Sequence, residues 1–83
     1  MEAKQMRSSF EIVAEILRVA KNGAKKTRIM YACGLSYRFV EKYLALLLET
    51  RLLRIGNSYH TTEKGMQFLR NYQTMDLLLK TRN

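Results

Sequence analysis

Cys33 and His60 are the chain's one thiol and one imidazole. A Cys–His nucleophile pair must sit within hydrogen-bond reach, and the pattern around these two places Cys33 on a helix and His60 on a hairpin. A single Cys and a single His do not supply the three or four ligands of a zinc site. The seven acidic residues are scattered, with no pair suited to acid–base work. There is no glycine-rich phosphate-binding loop; Gly56-Asn57-Ser58 reads as a turn. The expectation is therefore a protein that is not an enzyme and has no metal, cofactor or small-molecule ligand.

What the chain does concentrate is positive charge. Its 83 residues hold 15 Lys and Arg against 7 Asp and Glu, a formal net charge of +8. A field of that sign favours polyanions, either nucleic acid or an anionic membrane surface. Between Ile16 and Val40 lie Arg18, Lys21, Lys25, Lys26, Arg28 and Arg38, with no acidic residue among them. Lys25 and Lys26 precede a short apolar segment that reads as a helix, and Thr27 is placed to cap it. Free amides at a helix start favour an anion. Lys25, Lys26, Thr27 and Arg28 thus form a candidate phosphate clamp, which would position a protein on nucleic acid without reading its sequence.

These residues need elements to hold them. Ser8-Ser-Phe-Glu11 fits a capping box, and Ile12, Val13, Ile16, Leu17 and Ala20 follow at helical spacing. A first helix is predicted over about residues 9–21, stopped by Asn22-Gly23. The second runs from Thr27 through Cys33 and ends at Gly34. Ser36 caps a third, with Leu35 stapled onto Val40, that continues to about Thr50. A helix, a short glycine-containing turn and a second helix make a helix-turn-helix. At about 100° per residue, Val40, Tyr43, Leu44 and Leu47 share the inner side of the third helix. Arg38, Glu41, Lys42, Ala45 and Glu49 share the outer side. In such a motif the second helix meets the major groove with its N-terminal part. Arg38 and Lys42 lie there, able to donate to guanine O6 and N7 or to hold phosphate.

Leu53 and Ile55 flank Arg54, Tyr59 and Thr61 flank His60, and a type II′ turn at Gly56-Asn57 is expected between the two runs. Thr62 then caps a last helix from Glu63 to about Thr81. The fold class is mainly α with a small β-hairpin, arranged as a winged helix-turn-helix. Residues 1–7 read as a disordered arm, 8–65 as the winged helix domain and 66–83 as a C-terminal dimerisation helix. Phe68, Tyr72, Met75 and Leu79 are spaced four, three and four, a short heptad seam widened by Leu77 and Leu78. The expected dimer uses Phe68, Tyr72, Met75, Leu78 and Leu79 in a two-helix coiled coil. The alternative is that this helix folds back across the first.

The strings Lys26-Thr-Arg-Ile-Met-Tyr31, Leu35-Ser-Tyr37, Tyr59 and Thr62-Glu-Lys-Gly65 resemble the small archaeal winged helix DNA-binding proteins of the 10a type, over roughly residues 8–72. The resemblance implies a winged helix, a dimer through a C-terminal antiparallel coiled coil, and binding to double-stranded DNA as a chromatin protein or transcriptional regulator. It maps Lys26, Thr27, Arg28, Ser36, Tyr37 and Arg38 to the helix-turn-helix surface. The residue pattern adds Lys25, Lys42 and, in a wing whose tip carries no base, Arg54 and His60.

The expected partner is double-stranded DNA, although charge alone does not separate DNA from RNA. A rival is a protein–protein interaction module that turns its basic surface to an acidic partner. A membrane-surface role fits less well, because no helix joins a basic face to a broad exposed apolar one. The polar start, MEAKQMRSS, lacks the apolar core of a secretory leader, and the longest apolar run, Tyr43 to Leu48, is too short to span a membrane. With a lone cysteine, the expected location is cytoplasmic and nucleoid-associated.

Overall fold

The computed structural model describes residues 7–80; residues 1–6 and 81–83 lie outside them, and so does most of the expected N-terminal arm. The elements run α1 (Ser9–Val19), α2 (Lys26–Cys33), α3 (Tyr37–Glu49), β1 (Leu53–Ile55), β2 (Tyr59–Thr61) and α4 (Glu63–Lys80). This is the winged helix-turn-helix order that the sequence pattern implies.

Ser8 and Glu11 form the full capping box: the Glu11 amide donates to Ser8 Oγ at 3.1 Å, and the Ser8 amide donates to the Glu11 carboxylate at 2.8 Å. Behind the cap, α1 buries Val13, Ala14, Ile16 and Leu17. Ile29 and Cys33 enter the same core from α2, Val40, Leu44 and Leu47 from α3, Leu53 from β1 and Leu69 from α4. Burying one such aliphatic side chain contributes about 1.5–3 kcal/mol, so three helix faces carry most of the fold. Tyr43, expected on the inner face, is half-buried and its hydroxyl donates to Ser9 Oγ at 3.2 Å.

Gly34 closes α2 in the left-handed region, with φ 64°. Ser36 caps α3, its Oγ accepting from the Phe39 amide at 3.2 Å. The other end of α3 turns through Arg51, a non-glycine residue with φ 66°. There the Leu52 amide donates to Leu47 O at 2.9 Å and the Arg51 amide to Leu48 O at 3.1 Å. This is a Schellman closure without its usual glycine, so no sequence signal marked it.

The hairpin departs from the expected turn. Ile55 pairs with Tyr59, which leaves the three residues Gly56-Asn57-Ser58 in the loop, and Gly56 is not in the positive-φ region a type II′ turn requires. The cause lies elsewhere in the chain. Tyr59 also pairs with Ala24, in the connector between α1 and α2: the Ala24 amide donates to Tyr59 O at 3.0 Å and the Tyr59 amide to Ala24 O at 2.9 Å. That bridge fixes which residue begins β2. Ile55, expected to share the inner face with Leu53, runs past the core edge and is 54% exposed. Thr61 ties the same strand to α1, its amide donating to Ala20 O at 3.1 Å and its hydroxyl to Leu17 O at 2.7 Å.

Thr62 caps α4 by accepting from the Gly65 amide at 3.0 Å. Gly65 sits so close to the preceding segment that a Cβ there would meet Leu52 O at 2.3 Å. Helix α4 packs on α1 and β2 and buries Gly65 and Leu69. Phe68 and Tyr72, both assigned to the dimer seam, are half-buried against the domain's own core. Met75 and Leu79 stand 61% and 65% exposed, and Leu77 and Leu78 are exposed beside them. The heptad is therefore split: its first two positions complete the monomer, as the fold-back alternative had it, and the later ones face outward.

Candidate nucleic-acid interface

Helix α3 turns Val40, Leu44 and Leu47 inward, which leaves Tyr37, Arg38, Lys42, Ala45 and Glu49 on the surface. Helix α2 supplies Thr27 and Arg28, both exposed, and β1 supplies Arg54, exposed and paired across the hairpin with His60. Arg28, Arg38, Lys42 and Arg54 have no ion pair or side-chain hydrogen bond among the described residues. They are cations with no internal counter-charge.

The clamp expected at the start of α2 is built differently. Lys25, not Thr27, holds the N-cap position, and no side chain caps this helix. Thr27 lies within the first turn. The Lys25 ammonium reaches across the fold to donate to Asn57 O at 2.8 Å, joining the start of α2 to the wing tip. The Lys26 ammonium pairs with the Glu41 carboxylate on α3 and lies 5.2 Å from the centre of the Tyr37 ring. Hydrogen bonding from Glu41 raises the Lys26 pKa above its ordinary value. Hydrogen bonding from Lys26, and then from Tyr37, holds the Glu41 carboxyl below the usual carboxylate range. Of the four clamp residues, two are thus occupied by partners 15 and 32 positions away. Ser36 is also occupied, since its hydroxyl is the α3 cap.

Sequence reasoning placed Glu41 on the outer face of α3 without giving it a partner. The His60 ring is half-buried over Gly23, whose φ is +97° and where a Cβ would meet His60 Cε1 at 2.7 Å. Tyr31 is 78% exposed on α2. Spacing gave a weak sign of it, because Tyr31 is two residues from both Ile29 and Cys33, off their buried face. Arg7, expected in the N-terminal arm, pairs with Glu15 of α1.

The Cys33 thiol is 3% exposed, and burial pushes its pKa up to about 11. It packs in the core as a small apolar group. Among the described residues no three metal-ligating side chains gather, and no helix is long and apolar enough to cross a membrane.

Three comparisons bear on this arrangement. The chain is 39% identical over 61 residues to the uncharacterized protein MJ0287 of Methanocaldococcus jannaschii, covering 71% of this chain and 63% of that protein. It is 33% identical over 75 residues to the uncharacterized protein MJ0290 of the same organism, covering 88% of this chain and 36% of that protein. The chain therefore spans less than two thirds of the length of either relative. Its fold is similar to the crystal structure of Sso10a-2, a DNA-binding protein from Sulfolobus solfataricus, with a TM-score of 0.79 and 28% identity, covering 89% of this chain and 83% of that one. The resemblance to the archaeal 10a type, drawn from the KTRIMY and LSY strings, is borne out by that neighbour. A sequence model of the winged helix-turn-helix family matches residues 6–80, the whole of the fold described above, and the chain belongs to that family.

Proposed function

We propose that this chain binds double-stranded DNA, with α3 in the major groove, as a chromatin-type protein or transcriptional regulator associated with the nucleoid. The observation that carries this is the outer face of α3. Arg38 and Lys42 are exposed there without internal partners, and Ala45 beyond them is small enough for a close approach. Arg28 and Arg54 extend the same unpaired charge to α2 and the wing. The family membership and the DNA-binding neighbour point the same way. Titrating a labelled duplex at about 50 mM salt tests it, where a protein with several phosphate contacts binds well. Absence of binding there overturns the proposal.

The proposal includes a homodimer. Met75 and Leu79 give the outer half of α4 an exposed apolar edge, and such edges mark association sites. A two-fold dimer carries two copies of α3, which suits half-sites about 34 Å apart. Truncation after Tyr72 is expected to leave a monomer with much weaker duplex affinity, because Phe68 and Tyr72 still complete the core. An unchanged particle mass per chain in sedimentation refutes the dimer.

A further inference from the structure

We propose that Glu41 is a specificity-determining residue that selects cytosine at one position of the duplex, with Lys26 and Tyr37 as its positioning residues. This rests on the DNA-binding reading above. Glu41 is the one acidic residue in the first half of α3, set between Arg38 and Lys42 on the outward face. A carboxylate there is unfavourable next to phosphate, so a surface built only for affinity gains nothing from it. Its pairing with Lys26 does not explain it through stability, since both side chains keep a third or more of their surface in solvent and such ion pairs add little.

The pairing does fix the carboxylate in place. Lys26 approaches from α2, and the Tyr37 ring lies one turn earlier on α3, 5.2 Å from the same ammonium. Hydrogen bonding from Lys26, and then from Tyr37, holds the Glu41 carboxyl below the usual carboxylate range. The result is an oriented acceptor in a field of donors. In the major groove, guanine presents two acceptors and thymine one, and these repel a carboxylate. Adenine presents its amino donor beside the N7 acceptor. Cytosine presents an amino donor alone, and so it is the base a carboxylate prefers. Arg38 lies three residues before Glu41, about 4.5 Å along the helix axis, close to the rise of about 3.4 Å per base pair. Arginine favours guanine O6 and N7, so the two side chains suit one G·C pair or two adjacent ones.

Selection from a randomised duplex pool, followed by competition titrations on single-base variants, tests the proposal. The wild-type protein is expected to enrich a cytosine, with a penalty of about 10-fold when that C·G pair becomes T·A. Glu41→Gln is expected to move the preference to adenine, whose N6 and N7 match an amide. Glu41→Ala is expected to lose the preference while binding the pool more tightly, because a negative charge has gone. Lys26→Ala is expected to blunt discrimination with little change in salt dependence, which a merely structural ion pair would not produce. Glu41 is at the surface, so the fold tolerates these changes; Glu41→Asp gives a second route, with weakened discrimination and no gain in pool affinity. A wild-type protein that enriches no base, or Glu41 variants that keep its motif, overturns the inference and leaves DNA binding standing. A wild-type protein that binds no duplex overturns the DNA-binding reading itself.

Discussion

The structure separates the basic residues of the proposed interface into engaged and free ones, and the salt dependence of duplex binding would report how many reach phosphate. Lys25, Lys26, Arg28, Arg38, Lys42 and Arg54 line the expected surface. Lys25 is held by Asn57 O and Lys26 by Glu41, which leaves four cations uncommitted. Each neutralised phosphate contributes about −0.9 to the slope of log affinity against log salt. The slope per bound protomer should therefore be no steeper than about −3.6, whereas six contacts would give about −5.4. Between about 50 and 200 mM salt these correspond to losses of about 150-fold and about 1,800-fold, a difference well outside titration error. Fluorescence anisotropy of a labelled duplex at several salt concentrations measures it. Arg28→Ala should flatten the slope by about 0.9, and Lys26→Ala should leave it nearly unchanged. A wild-type slope near the six-contact value, or a full unit lost on Lys26→Ala, would show that Lys26 abandons Glu41 for phosphate and would refute the division.

Two further outcomes concern the fold. Gly65→Ala gains about 1 kcal/mol of helix propensity, but its Cβ would lie 2.3 Å from Leu52 O and 2.7 Å from Thr61 Cγ2. Backbone must move, and the net loss should be about 1–2 kcal/mol, read as a lower denaturation midpoint; an unchanged midpoint contradicts the close approach. The Cys33 thiol titrates near 11 in the folded chain against an ordinary 9.0. Its contribution is complete below pH 9 and is lost as pH rises toward 11, a change on the order of 2–3 kcal/mol. The stability difference between the wild type and Cys33→Ala should shrink by roughly that amount across this alkaline range. A constant difference in denaturant melts would show the thiol is not held neutral by burial.

The helix caps were legible because their chemistry is local. Ser8 with Glu11, Ser36 with the Phe39 amide, and Thr62 with the Gly65 amide each act within three residues. The buried faces followed from helical periodicity, and the winged helix order from the caps and the hairpin together. What sequence reasoning missed depends on partners far along the chain. Lys26 meets Glu41, and Lys25 meets Asn57, only after α2, α3 and the wing have assembled. Ala24 looked like a connector because one residue of strand has no periodicity. Thr27 looked like a cap because threonine often is one, yet the cap position falls two residues earlier, at Lys25. Phe68 and Tyr72 fit a heptad and also fit a helix edge facing the domain's own core, and spacing alone does not distinguish the two.

The bridge between Ala24 and Tyr59 has a mechanical consequence. Together with Lys25 on Asn57 it ties the wing to the segment on which α2 begins, while Thr61 on Ala20 and Leu17 ties the same strand to the end of α1. The hairpin is thereby less a flap hinged at its base than the third rail of a small frame. The frame sets the distance between the wing and the helix-turn-helix before any partner arrives. On the proposed DNA-binding reading, a spacing held by these bonds would leave more of the fitting to the groove of the duplex than to the protein.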